Sequence, residues 1–319
     1  MDVIRITKEF QFEMAHALYG YDGPCKNIHG HSFYLSVTVI GPVKHKDNHP
    51  KNGMVADFSQ LKEIVKSGII DDFDHSLVLN GNTPHKKFVK RNTIFEKIIL
   101  VDYQPTCENL LIDLDFLGID NVVALRGDAL KTETYFKPEK EGNEYASDLV
   151  KQIRNLNEGI YLDEDLQNTA KTNFCIGVAA YPEKHMEAPS LDSDIHFLKQ
   201  KIKNGADYII TQMFFDNKKF FDFVAKVRAA GITVPIIPGL KPIATKKQLN
   251  LIPHRFSLEL PDNLIMEVVK AKNNEVVRQI GIEWCIQQSK ELVAAGIPVL
   301  HYYSMGKSDN IKAIANEVF

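Results

Sequence analysis

The sequence predicts an α+β module followed by an α/β partial barrel of the TIM type, with about five βα units. Three observations carry this. The first hundred residues hold long extended segments around a loop bearing glycine and proline. Past residue 120, short apolar strands alternate with amphipathic helices. The strands of that second part end in polar residues.

Taken in order, residues 4–17 form an extended stretch with partial alternation. His31 to Gly41 (HSFYLSVTVIG) is rich in β-branched and aromatic side chains, which suit a pleated surface. The loop Tyr19 to Gly30 separates them, so the two are expected to make a long ribbon with an irregular tip. Asp57 has the side chain to cap a helix that buries Phe58, Leu61, Ile64 and Val65. A second helix is expected from about Pro105 to Glu108 onward, through Leu117 (ENLLIDLDFL).

Apolar runs at Asn121–Leu125, Phe174–Ala180, Tyr208–Phe214, Val234–Leu240 and Val299–Tyr303 read as buried strands. Helical patterns at Asp192–Gly205 and Lys218–Gly231 lie between them. Such repeats pack as a parallel sheet wrapped by helices, with the site built from loops at the carboxyl ends of the strands. A closed barrel of this kind needs eight strands, so open edges are expected. No Gly/Ser-rich or Pro-rich linker separates the halves, and the changeover falls inside the Glu108–Leu117 helix. The expected domains are residues 1–112 and 113–319.

The 319 residues are 44% hydrophobic and 25% charged with a net charge of −3, so nothing in the charge balance calls for nucleic acid or an anionic membrane as partner. Lys86-Lys87 and Lys246-Lys247 are short enough to be solvated faces. No apolar run approaches the roughly 20 residues of a membrane span, and no secretory signal is evident at Met1 to Phe10. Cys25, Cys107, Cys175 and Cys285 form no CxxC pair, which together with these features makes a reducing cytoplasm the expected compartment.

The sharpest local signal is His16, Cys25, His29 and His31. His29 and His31 sit two apart at a strand start and share a face, and His16 near the end of the preceding strand can meet them across the ribbon. Three neutral imidazoles on a sheet make a catalytic type of zinc site with an open position for substrate oxygens. A thiol beside the metal, Cys25, then has a lowered pKa and can move protons. Asp74-His75-Ser76 adds a carboxylate next to an imidazole, the makings of a relay. The competing reading is a polar loop that gathers histidines by chance around a small core cysteine.

In the second part, Leu125-Arg126-Gly127-Asp128 follows a strand, and Tyr145-Ala146-Ser147-Asp148 opens a helix. Tyr181 and His185 end the next strand, while Asp194 and Lys201, seven apart, share a helix face. Thr211-Gln212 ends another strand with an amide suited to a heterocycle edge. No GxGxxG fingerprint supports a Rossmann site. Each residue alone has an ordinary structural explanation as a cap, a surface charge or core packing.

Two resemblances now order these residues. Phe12-Glu13-Met14-Ala15-His16-Ala17, Cys25, His29-Gly30-His31-Ser32, Gly53-Met54-Val55-Ala56-Asp57-Phe58 and Asp74-His75-Ser76 resemble the 6-pyruvoyl/6-carboxytetrahydropterin synthase family over about residues 1–112. The resemblance implies an incomplete T-fold module, zinc held by His16, His29 and His31, and Cys25, Asp74 and His75 as the proton relay. It also implies dihydroneopterin triphosphate as substrate, a 6-carboxytetrahydropterin product on the queuosine route, and a homo-oligomer. The chain leaves the family pattern before the hairpin whose Glu anchors the pterin, and Glu133 is its weak counterpart.

From about Asp113 to Phe319 the motifs LRGD, YASD, VAAYPEKH, ADYIITQMFFD, VPIIPGLKPI and HYYSMGKSD resemble methylenetetrahydrofolate reductase. That implies FAD contacted by Arg126, Asp128, Ala146, Tyr181, His185, Asp194 and Lys201, folate met by Gln212 and Gln248, and NAD(P)H as donor. The family's first three βα units find no counterpart, and the preceding module is not expected to complete the barrel. Three readings follow. One is a folate reductase with a replaced first third, one a zinc lyase with a reductase-like tail, and one a fusion product with neither activity.

Overall fold

In the computed structural model, residues 3–20, 26–42, 54–91, 96–101, 107–116, 119–127, 142–162, 169–304 and 308–319 are described. The chain opens with β1 (Val3–Ala17) and β2 (His29–Pro42). Helix α1 (Phe58–Val65) runs through a π turn (Lys66–Ile70) into the single turn α2 (Asp71–Phe73). Then come β3 (Ser76–Asn80), α3 (His85–Arg91), β4 (Ile98–Val101), α4 (Cys107–Phe116), β5 (Asn121–Ala124) and α5 (Ala146–Glu158). A regular alternation follows: β6 (Cys175–Ala180), α6 (Leu191–Lys203), β7 (Tyr208–Met213), α7 (Asn217–Ala229) and β8 (Ile236–Leu240). Helices α8 (Gln248–Phe256), α9 (Asp262–Lys270) and α10 (Asn274–Ala294), strand β9 (His301–Tyr303) and α11 (Ser308–Val318) close the order.

The termini of these helices follow from their sequence. Ser190, Asp216 and Asn273 cap α6, α7 and α10, each accepting a backbone N–H of the first turn. Asp148 accepts the Tyr145 N–H at 2.9 Å, so the YASD motif is the opening of α5, as anticipated. Gly159, at φ +79°, ends that helix in the left-handed conformation.

By compactness the chain forms two units that interleave along the sequence. One comprises Met1–Lys8, Val37–Phe58 and Gly177–Phe319, the other Glu9–Ser36 and Ser59–Ile176. Among the described residues, no helix is long and apolar enough to cross a membrane.

In the first unit the sheet is a curled parallel half-barrel of five strands. Gly177–Ala180 run beside Tyr208–Thr211, and Ile209 and Ile210 beside Ile236 and Ile237. Gly239 and Leu240 then pair with His301 and Tyr302. The strands expected past residue 174 are thus present, trimmed at their ends. Pro298 has no N–H to contribute, and the Phe214 carbonyl is taken by the side chain of Gln288.

The opening module also adds a strand to this arc, which the sequence did not announce: Arg5, Ile6 and Thr7 pair in parallel with His301, Tyr302 and Tyr303. The edge of a buried parallel strand carries N–H and C=O groups that need partners, and an extended β1 supplies them.

Helix α10 organises the carboxyl ends of this arc. Val277, Gly281, Cys285, Ser289 and Leu292 lie on its buried face. Trp284 Nε1 donates to the Phe215 carbonyl at 3.0 Å, and Gln288 Nε2 to that of Phe214 at 3.3 Å. Asn217, at the start of α7, donates to the Gln288 carbonyl at 3.1 Å. Gly281 lets the helix lie directly on the Ile243 backbone, because a Cβ there would fall 1.9 Å from the Ile243 oxygen. Below this, Met213, Phe215, Ile243, Ile252, Leu264, Val268 and Val277 share one apolar core with α8 and α9.

In the second unit, β1 continues as Met14–Ala17 in parallel with Ser76–Leu79, and Leu77–Asn80 lie beside Ile98–Val101. Strand β2 pairs with β1, the expected ribbon, with Phe12 stacked on Phe33 at 5.2 Å. Strands β3 and β4 were not anticipated, being apolar runs of five and four residues with little periodicity to read. Helix α4 is continuous across the expected changeover. Its buried Glu108 accepts the Leu162 N–H at 3.1 and 3.0 Å, one bond to each oxygen, and its Asp115 accepts the Asn173 N–H at 3.2 Å.

Two expected outcomes test this packing. Gly281→Ala forces α10 off Ile243, and denaturant unfolding should show a loss of about 1–3 kcal/mol. Burial pushes the Cys285 thiol up to about 12 from an ordinary 9.0. The folded chain therefore holds that proton more tightly, and the stability this provides is complete below about pH 9 and lost as pH rises toward 12. Unfolding curves at pH 7, 9 and 10.5 should accordingly fall less steeply with pH in Cys285→Ala than in the unaltered chain.

Candidate functional site

Two groups of predicted residues are each assembled within one unit. The first is on the ribbon. His16, buried near the end of β1, is in register with Val78 of β3, while His29 starts β2. Their Nε2 atoms are 3.2 Å apart and their rings 4.7 Å between centroids. The other nitrogen of His29, Nδ1, lies 2.8 Å from the Asn27 carbonyl. A carbonyl only accepts, so Nδ1 carries a proton, and the Nε2 of a neutral ring presents its lone pair toward His16.

That arrangement suits a metal. Two imidazole nitrogens at about 2.0–2.1 Å from a tetrahedral zinc stand about 3.3 Å apart, and a carbonyl on the outer nitrogen is the usual second support of a zinc-bound histidine. The third predicted ligand, His31, continues β2, and its side chain lies outside the described residues, as does all of Cys25. Among the described residues, no group of three or more metal-binding side chains gathers.

Asp74 and His75 are placed differently from a tight relay. Asp74 Oδ1 accepts the Glu13 N–H at 3.0 Å, and the His75 N–H donates to the Glu13 carbonyl at 2.6 Å. His75 Nε2 stands 3.9 Å from Asp74 Oδ2 with 78% of its side chain exposed, an ion-pair distance beyond hydrogen bonding. The two residues lock the start of β3 to β1 at Glu13, three residues before His16, or about 10 Å along the strand.

The second group lies at the carboxyl ends of β6 and β7. The Tyr181 and His185 rings meet edge to face, 4.7 Å apart at 76°. Asp194 and Lys201 both reach the same strand end from α6, as their spacing predicted. Asp194 Oδ2 accepts the His185 N–H at 2.8 Å, and Lys201 Nζ donates to the Ala179 carbonyl at 3.1 Å. His185 Nδ1 accepts the Glu187 N–H at 3.2 Å, so the Nε2 of a neutral ring bears the proton.

Gln212 is next to last in β7, its Oε1 accepting the Met213 N–H at 2.9 Å. Gln248 Oε1 accepts the N–H groups of Ala244 and Thr245 at 2.6 and 3.0 Å, which closes the turn before α8 and leaves its amide NH2 as the remaining donor. Arg126 follows β5 half-buried, and Ala146 is the first residue of α5, both in the other unit. Asp128 and Glu133 lie outside the described residues.

Sequence reasoning missed the charged group beneath Tyr181 and His185. Lys219 pairs with Glu183 and, at 2.6 Å, with Glu259. It named Thr211 without a role: its Oγ1 accepts the Gly239 N–H and its carbonyl accepts the Tyr303 hydroxyl, both at 2.9 Å. The signal available for Glu183 was its place between Tyr181 and His185. Lys219 and Glu259 gave none, since lone charges on helix and loop surfaces are common.

Residues 104–318 match the methylenetetrahydrofolate reductase family, and residues 5–112 match the 6-pyruvoyl tetrahydropterin synthase family. Methylenetetrahydrofolate reductase 1 of Schizosaccharomyces pombe is 39% identical over 198 residues, 62% of this chain and 30% of that protein. Methylenetetrahydrofolate reductase 2 of Saccharomyces cerevisiae is 37% identical over 212 residues, 63% of this chain and 33% of that protein. The chain thus spans about a third of the length of these relatives. A Clostridium thermocellum protein of known structure, which binds two copies of 5-methyl-5,6,7,8-tetrahydrofolic acid, aligns at a TM-score of 0.42. It is 17% identical, over 83% of this chain and 90% of that one.

For the ribbon, zinc analysis of the purified chain tests whether the His16–His29 pair holds metal. His16→Ala or His29→Ala should each weaken zinc roughly 100-fold or more in a chelator competition, since even outer supports of a ligand are worth 10–100-fold.

Proposed function

The chain belongs to the methylenetetrahydrofolate reductase family through residues 104–318, and from that premise we propose that it is a flavoprotein of folate reduction. In this reading FAD lies at the carboxyl ends of β6 to β8, and reduced nicotinamide supplies its electrons. The substrate is 5,10-methylenetetrahydrofolate and the product 5-methyltetrahydrofolate. When bound, the flavin supplies the hydride chemistry. The residues of this chain bind it, orient it and exclude water.

The observation that supports the reading most directly is the Tyr181–His185 pair, fixed edge to face by Asp194. A flavin ring is a flat apolar surface with a polar rim, and an aromatic side chain beside an imidazole N–H offers one partner for each. On the next strand, the amide of Gln212 stands near the end of β7, and the NH2 of Gln248 stands at the start of α8, donors and acceptors suited to a pterin edge. Arg126, Asp128 and Ala146 are assigned to the flavin by resemblance.

A second reading rests on the His16–His29 pair, whose 3.2 Å separation suits a shared zinc. Here residues 1–112 bind a pterin triphosphate, His31 completes the metal set, and Cys25, Asp74 and His75 handle protons. Under both readings the functional segments are 1–112 and 113–319, and the protein works in pterin and folate chemistry as a homo-oligomer in the cytoplasm.

Visible absorbance and flavin fluorescence decide between them. The purified chain should bind FAD, the flavin should bleach with NADH or NADPH under anaerobic conditions, and methylenetetrahydrofolate should restore its colour. Tyr181→Ala should weaken FAD by about tenfold, the worth of one aromatic contact. Zinc without flavin would leave only the second reading, and neither group would remove both.

A further inference from the structure

The rings of Tyr181 and His185 are four residues apart, a distance an extended chain stretches to about 13 Å, yet their centroids stand at 4.7 Å. The chain has to fold back between them. It does so at Lys184, whose φ of +139° belongs to backbone that side-chain-bearing residues seldom adopt. Such a conformation persists only where the surroundings over-determine it, and here both flanks are held.

On one side, Glu183 Oε2 accepts the Lys219 ammonium and, at 3.0 Å, the Glu259 N–H. Lys219 is tied in turn to Glu259 Oε2. The other oxygen of Glu183 is buried with no hydrogen-bond partner among the described residues, so the carboxylate depends on Lys219 for its compensation. On the other side, the His185 N–H is held by Asp194. Lys184 itself reaches over the turn, its Nζ donating to the carbonyls of Ala188 at 3.0 Å and His185 at 3.3 Å. Burial would lower the Lys219 pKa, but its bonds to Glu183 and Glu259 prevail and hold it above the ordinary value.

We infer that Glu183, Lys184 and Lys219 are positioning residues, a brace that holds the β6–α6 loop folded back so that Tyr181 and His185 face a ligand as one preorganised pair. The brace joins the end of β6, the start of α7 and the segment before α9, so the loop cannot relax without breaking an ion pair and two backbone bonds. The assignment of the ligand as flavin rests on the preceding reading. The brace itself does not.

Hydrogen exchange on the full, ligand-free chain tests the brace without any flavin. Lys219→Met should speed exchange of the His185 and Glu259 amides at least tenfold while the amides of β7 and α10 keep their protection. Lys219→Arg should restore slow exchange. Equal exchange in Lys219→Met and the unaltered chain, or loss of protection throughout, would overturn the brace. Lys184→Gly should unfold at higher denaturant than Lys184→Ala, because only glycine takes φ +139° without strain; the reverse order would remove the strain from the account. FAD titration then reads the destination. If the unaltered chain binds FAD, Lys219→Met should weaken it tenfold or more and Lys219→Arg should recover it. Unchanged affinity refutes positioning for flavin. If the unaltered chain binds none, the flavin assignment falls, and the exchange result still decides the brace.

Discussion

Backbone groups that leave a parallel sheet inside a protein must find partners at once, and the carboxyl end of β7 meets that constraint through one helix. The carbonyls of Phe214 and Phe215 take donors from Gln288 and Trp284 of α10, and Asn217 returns a donor to Gln288. Polar satisfaction of this kind fixes direction in a way that apolar packing does not. The same helix lies against Ile243 through Gly281, so the approach of α10 sets the height of the loops after β7 and β8.

The β6 loop obeys a different economy. Asp194 and Lys201 of α6 hold its backbone at the His185 N–H and the Ala179 carbonyl, and charges from three segments converge on it. Lys219 is 29% exposed and Glu183 11%, so the pair is shielded enough to outweigh the small value of an open surface bridge. Its ordering therefore rests on ion pairs where that of the β7 end rests on neutral hydrogen bonds from α10. Two means of rigidity side by side produce a rim in which one portion keeps its form by hydrogen bonding and another by charge.

What the sequence disclosed follows the same division. Strands at Phe174–Ala180 and Tyr208–Phe214 were legible because an apolar run bounded by polar residues has few other homes. The meeting of His16 with His29 was legible because strand alternation and a short loop leave little freedom. Asp194 and Lys201 were correctly placed on one face, but their partners, the His185 N–H and the Ala179 carbonyl, are backbone groups that no residue pattern announces. Asp74 beside His75 looked like a relay, and the pattern did not announce that one oxygen of the Asp74 carboxylate is engaged by the Glu13 N–H while the other stands 3.9 Å from His75 Nε2. The Glu183–Lys219–Glu259 group was invisible because its members are 36 to 76 residues apart. Only the fold brings them together.

The junction between the two family matches carries the final point. The matches overlap over 104–112, within α4 or just before it. A helix closes its own hydrogen bonds along one segment, so sequences of different origin can be joined there without re-registering a sheet. The units do not respect that seam. The first residues of β1, inside the synthase-like match, pair with β9 of the reductase-like match, and Glu108 of the overlap is bound to Leu162. Removing residues 1–112 would strip β9 of one of its two partner strands and leave the Leu162 N–H without its carboxylate. The segments defined by ancestry are thus not the segments that fold, and a chain cut at the family boundary is a different physical object from either unit described above.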